Sequence, residues 1–142
     1  MKKIVFMGTP LFAVPILKSI FSKGYDIPLV YTQPPRKSNR GHKVSKSPIH
    51  KICEENNLKV RTPENFKNLD DEKNILKKLE ADIAIVVAYG QILPKGILHV
   101  CKKGFINIHA SLLPKLRGAA PIQRSIMNLD NETGISLSLI HI

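Results

Sequence analysis

The stretch Asp82–Ala88 (DIAIVVA) is apolar at every position after Asp82. A strand with one wet face alternates apolar and polar residues, whereas an unbroken run like this fits a strand covered on both faces of a parallel sheet. Tyr89-Gly90 ends it. Upstream, Asp70–Glu80 reads as a helix, with acids in its first turn opposite the helix dipole and Ile75, Leu76 and Leu79 on the buried side. Downstream, Gly104–His109 (GFINIH) reads as a strand and Ala119–Leu129 as a helix. A last strand over Gly134–Ile142 alternates Ile135, Leu137 and Leu139 with Ser136 and Ser138.

The N-terminal half repeats the pattern. Lys3–Met7 is a β-branched apolar run stopping at Gly8. A helix entered at Pro10 carries Ile16, Leu17, Ile20 and Phe21 and closes at Gly24. Ile27–Thr32 is a second strand, and Leu58–Thr62 a short one. Ser47-Pro48 starts a helix running to Asn57, with Ile49, Ile52 and Cys53 on one face. Gln33–Ser47 (QPPRKSNRGHKVSKS) reads as a mobile surface loop. Strands separated by helices predict an α/β fold with an open, mostly parallel sheet. Neither an internal repeat nor a domain boundary is visible, so residues 1–142 are expected to form one domain.

Composition narrows the function classes. At 142 residues, 43% hydrophobic and 23% charged, the chain is globular rather than disordered or fibrous. Trp is absent and aromatics are 6%, which disfavours a base-stacking platform. Cys53 and Cys101 stand far apart with no CxxC, which argues against a zinc site and for a reduced, intracellular protein. No apolar run reaches the roughly 18 residues a membrane span needs. The expectation is a soluble cytoplasmic domain with no metal and no membrane contact.

Charge is less evenly spread. Basic residues outnumber acidic ones 22 to 11. From Ile27 to Cys53 there is no Asp or Glu, yet Arg36, Lys37, Arg40, Lys43, Lys46 and Lys51 fall there and carry over half of the net +11. A polyanion suits such a segment, because each neutralised phosphate releases counterions. A solvated loop without a role fits the charge equally well.

Parallel α/β sheets bind ligands at the carboxyl ends of their strands, and three ends stand out. Gly8-Thr9-Pro10 forms a tight βα turn. GTPLFA lacks the second and third glycines of GxGxxG, so a nicotinamide dinucleotide is a weak alternative. Ala88-Tyr89-Gly90 closes the central strand, where a bulky planar ligand leaning on the backbone and a plain strand-terminating turn fit equally well. Asn107 and His109, two apart on a strand, project from one face. An imidazole exchanges protons near neutral pH, and an Asn amide donates to a developing oxyanion. Together they suit attack on a carbonyl carbon. No GxSxG is present and neither cysteine is near, so the nucleophile is expected to come from the substrate.

The segment Phe105–Arg124 (FINIHASLLPKLRGAAPIQR) resembles the signature of the folate-dependent formyltransferases. GTPLFAVP, TQPPRKSNRGHKVSKSP and VVAYGQILP are similar to that family in the same order, and the resemblance covers essentially the whole chain. N-x-H with SLLP marks only the superfamily, which includes enzymes acting on glycinamide ribonucleotide and sugar nucleotides. RGAAPIQR and the basic loop select the branch that formylates methionyl-tRNA.

The resemblance implies a Rossmann-like doubly wound sheet. It also implies formyl transfer from 10-formyltetrahydrofolate to the α-amine of methionyl-initiator tRNA, by a monomer. By position, Asn107 and His109 match the catalytic pair. Ser111, Leu112, Leu113 and Pro114 match the loop touching folate. Val86, Val87, Ala88, Tyr89, Gly90 and Ile92 match the wall near the pterin, and Arg36, Lys37, Arg40, Lys43 and Lys46 the segment meeting tRNA. The family's third catalytic group, an Asp pairing with the His, follows the last strand, and a C-terminal β-barrel domain comes later. The chain stops at Ile142, before either, so the reading expects an impaired N-terminal piece. The alternatives are a formyltransferase for a small amine and a non-catalytic nucleic-acid-binding α/β module.

Overall fold

The structure is a computed structural model that describes residues 2–37, 41 and 43–140. β1 (Lys3–Gly8), β2 (Asp26–Tyr31), β5 (Val60–Arg61), β6 (Ile83–Val87), β7 (Phe105–His109) and β8 (Ser136–Leu139) form one six-stranded sheet in the order β5-β2-β1-β6-β7-β8. Every neighbouring pair is parallel except β7–β8, which is antiparallel. The strand order runs outward in both directions from the β1–β6 junction, and such a reversal leaves a crevice beyond the strand ends. This is the doubly wound α/β fold expected from the sequence.

Helices α1 (Val14–Ser22) and α2 (Pro48–Glu55) cover one face. There Val14, Leu17, Ile49 and Cys53 pack with Phe6, Val30 and Val87. α3 (Leu69–Leu79) covers the other, where Leu76 joins Val5, Met7, Tyr31, Ala84, Val86 and Phe105. β6 sends Ala84 and Val86 to the α3 side and Val87 to the α1–α2 side, so the run that lacks alternation is buried on both faces as read. A short α4 (Pro121–Met127) precedes β8. Burial pushes the thiols of Cys53 and Cys101 up to about 11, so both stay protonated at neutral pH.

Three sequence expectations are corrected. The first helix begins at Val14, after a 3₁₀ turn over Leu11–Ala13. Pro15 has no N–H to give to an earlier carbonyl, so it must sit in the first helical turn, which moves the start four residues past Pro10. Phe21, assigned to the buried stripe, is 42% exposed. The segment Gln33–Ser47 is not wholly irregular, since β3 (Arg36–Lys37) and β4 (Val44–Ser45) pair as an antiparallel ribbon. Pro34-Pro35 favours the extended backbone that leads into β3. The start of α2 is as expected: the Ser47 hydroxyl caps it by accepting from the His50 amide at 3.0 Å, and it meets the Thr32 hydroxyl at 2.7 Å.

One buried ionic cluster escaped the sequence reading. Glu72, 5% exposed on α3, accepts from the Tyr31 hydroxyl at 2.7 Å and from Arg61 Nε and Nη2 at 3.1 and 2.6 Å. It joins β2, β5 and α3. Burial, then the Glu72 carboxylate, hold the Tyr31 phenol far above its ordinary range, and the Glu72 hydrogen bond raises Arg61. Replacing one partner strands the others. Glu72→Ala is expected to cost about 2–4 kcal/mol, at the lower side because Arg61 reaches solvent. Urea unfolding of the two chains measures it, and a loss below about 0.5 kcal/mol would contradict the cluster's role.

Candidate active site

At the switch point the ends of β1, β2 and β6 are tied together. The Thr9 hydroxyl donates to the Tyr89 carbonyl at 2.8 Å and accepts from the Gln33 amide at 3.2 Å. Gln91 Nε2 donates to the Pro63 carbonyl at 2.7 Å and meets Gln33 Oε1 at 3.3 Å. The chain turns sharply here, with φ +49° at Ala88 and +89° at Gly90. These ties join residues up to 80 apart, so no local motif announces them.

Beyond the tied ends lies a cleft of about 990 Å³. Asn107 and His109 reach it from the end of β7, beside Val86, Ala88, Tyr89, Gly90 and Ile92. Pro10, Phe12 and Leu98 add apolar wall, and Gly118–Gln123 closes the far side. Asn107 pairs in register with Val86, so both project to the α3 face. Among the described residues the lining holds neither serine nor cysteine. Tyr89 Oη and Gln91 Oε1 are buried without a hydrogen-bond partner among the described residues, and burial raises the Tyr89 phenol well above its ordinary range. Apolar walls with a few polar side chains, Asn107 and His109 among them, have the make-up of a small-molecule pocket.

His109 is held from both sides. Nδ1 lies 2.8 Å from the Ser111 hydroxyl and Nε2 3.1 Å from the Gly118 carbonyl. Ser111, only 1% exposed, donates to the Lys115 carbonyl at 2.7 Å.

Other residues singled out in the sequence fall elsewhere. Val87 points to the opposite face of the sheet, because neighbours on a strand alternate. Leu112, Leu113 and Pro114 line a separate pocket of about 250 Å³ with Lys115, Asp130 and Glu132. Ser111 faces His109 rather than the cleft. Of the basic set, Arg36 lines a groove of about 520 Å³ with Thr9, Gln33, Ser47 and Ala88–Gly90, which adjoins the main cleft through Pro10, Ala88, Tyr89 and Gly90. Lys37 is exposed on the ribbon and Lys43 exposed just before β4, and Lys46 is paired with Glu54. Arg40 lies outside the described residues. Among the described residues no cluster of His, Cys, Asp and Glu suits a metal, and no helix is long and apolar enough to cross a membrane.

Residues 1–141 match the family described as formyl transferase. The chain belongs to the formyl transferase family. It is 66% identical over 139 residues to the methionyl-tRNA formyltransferase of Pelagibacter ubique, covering 98% of this chain and 45% of that protein. The chain thus spans a little under half the length of the curated relatives it matches. Its fold is similar to a phosphoribosylglycinamide formyltransferase from Bacillus halodurans, with TM-score 0.76 at 18% identity over 99% of this chain and 72% of that one. A formyltetrahydrofolate deformylase from Pseudomonas syringae gives TM-score 0.72 at 19% identity over 99% and 46%.

The turn at Gly90 is constrained both by its backbone and by its neighbour. An added Cβ would stand 2.8 Å from Gln33 Nε2, at a φ that L side chains rarely adopt. Gly90→Ala is expected to lose about 1–3 kcal/mol of stability. Gly118→Ala, at φ +87° with open space around it, serves as the comparison because it carries only the backbone penalty. Denaturant midpoints decide it, and equal stability of Gly90→Ala and the parent would contradict the tied geometry.

Proposed function

We propose that this domain transfers a formyl group from 10-formyltetrahydrofolate to the α-amine of methionyl-initiator tRNA. The observation that carries the reading is the placement of Asn107 and His109 on one face at the end of β7, opening into a largely apolar cleft. The 66% identity to a protein named methionyl-tRNA formyltransferase supports the acceptor. The name of the deformylase neighbour supports a formyltetrahydrofolate donor. The cytoplasm is the compartment this reading implies.

The donor supplies an activated formyl carbon, and the walls formed by Val86, Ala88–Gly90 and Ile92 bind its flat ring. Asn107 donates its amide N–H to the formyl oxygen as negative charge develops there. The amine nitrogen forms a bond to the formyl carbon, and the bond from that carbon to the donor nitrogen breaks. The proton leaving the amine ends on the donor nitrogen, with His109 as the group that carries it. Arg36, Lys37 and Lys43, on or beside the ribbon flanking the cleft, meet the acceptor's phosphates, with Arg40 and Lys46 in the same segment. This extended basic surface favours a polynucleotide acceptor over a small phosphorylated amine or a site without chemistry.

In a form of the protein that performs the transfer, His109→Ala or Asn107→Ala is expected to lower kcat by about two to four orders of magnitude. A radiolabelled-formyl assay with charged initiator tRNA measures it, and near-parental turnover in either variant would overturn the assignment. Neutralising Arg36, Lys37 or Lys43 is expected to flatten the log–log salt dependence of tRNA binding by about one unit each. A slope unchanged after all three substitutions would return the ribbon to a solvated role.

A further inference from the structure

The loop after β7 does something other than line the cleft. Ser111 has one hydroxyl proton and two close partners, the Lys115 carbonyl at 2.7 Å and His109 Nδ1 at 2.8 Å. A carbonyl only accepts, so the Ser111 proton goes to Lys115 and the remaining contact is made by an N–H on His109 Nδ1. An Nε2–H ring would instead keep the longer, exposed contact to the Gly118 carbonyl at 3.1 Å and leave one of the two shorter contacts of a hydroxyl only 1% exposed unmade. We propose that Ser111 is a positioning residue that fixes His109 as its Nδ1–H tautomer and leaves Nε2, beside the cleft-lining Gly118, as the nitrogen that exchanges the proton. The use of that proton in formyl transfer rests on the functional reading above; the tautomer does not.

The loop is built to hold Ser111 in this role. Ser136, directly across from His109 in the β7–β8 register, donates to the Ser111 carbonyl at 2.6 Å and accepts from the Leu113 amide at 3.0 Å. The Lys115 amide closes the turn onto the Leu112 carbonyl at 3.0 Å. The serine that faces the histidine is thereby tied to the strand that flanks it. Burial of Ser111 keeps water from competing for either contact. In a neutral imidazole one nitrogen donates and the other accepts, and the hydrogen bond at one decides the role of the other. In that neutral ring Nε2 turns its lone pair toward the Gly118 carbonyl, so the 3.1 Å approach is not a hydrogen bond until Nε2 takes a proton; the contact is exposed, and water stands in for it at little cost.

Nitrogen-15 NMR of the imidazole rings reads this directly, on this chain, without folate or tRNA. His109 is assigned by its loss in His109→Ala, and spectra are taken at a pH where the ring is neutral. The parent is expected to show a protonated-type Nδ1 resonance and an unprotonated-type Nε2 resonance. Ser111→Ala is expected to lose that pattern, the two resonances moving toward exchange between tautomers, while Ser111→Thr, which keeps the hydroxyl, restores it. Ser111→Cys, near in size with a weak S–H donor, carries the same expectation as Ser111→Ala if the alanine variant does not fold. An Nε2–H ring in the parent, or an unchanged pattern in folded Ser111→Ala or Ser111→Cys, would overturn the proposal. An Nδ1–H ring in a protein whose His109→Ala variant still transfers formyl would instead sink the functional reading and leave this one standing.

Discussion

The Thr9 hydroxyl sits between the Tyr89 carbonyl, to which it donates at 2.8 Å, and the Gln33 amide, from which it accepts at 3.2 Å. One side chain thus closes the carboxyl ends of β1, β2 and β6, where neighbouring parallel strands would otherwise leave carbonyls facing open space. The left-handed residues at Ala88 and Gly90 follow from that tie, because the chain must leave β6 while its Tyr89 carbonyl stays pinned. The apolar cleft wall and the groove beneath the basic ribbon both start from this point and share Pro10, Ala88, Tyr89 and Gly90.

Alternation along the strands then sorts residues between scaffold and site. On β7, Phe105, Asn107 and His109 share a face. The first is buried against the α3 layer, and the next two emerge past the layer's edge into the cleft. On β6, Val86 belongs to that face and Val87 to the other. The parity that builds the core therefore also selects which groups reach a ligand. β8 extends the same logic, since Ser138 and Ser136 oppose Asn107 and His109.

The central strand was legible in DIAIVVA because burial on both faces leaves an unbroken apolar run, and the Asn107–His109 pair was legible because a spacing of two on a strand fixes a common face. Ser47-Pro48 announced α2 through local capping chemistry. What the sequence hid was non-local. Glu72 looked like a first-turn surface acid, and only the meeting of β2, β5 and α3 makes it a buried partner of Tyr31 and Arg61. The contacts of Ser111 to His109 and Lys115 are likewise not readable from the motif that carries it. β8 showed its period of two, but not which face would be covered: Leu137 stands 69% exposed while the serines share a face with the site.

The central claim is that the cleft beyond β6 and β7 binds the formyl donor and that Asn107 and His109 face the group transferred. Titrating the isotopically labelled chain with a non-transferring folate analogue, and mapping the backbone and side-chain shifts, tests it most directly. The account predicts saturable changes at Val86, Ala88–Ile92, the Asn107 amide and the His109 ring. Binding that leaves Asn107 and His109 unaffected would contradict it.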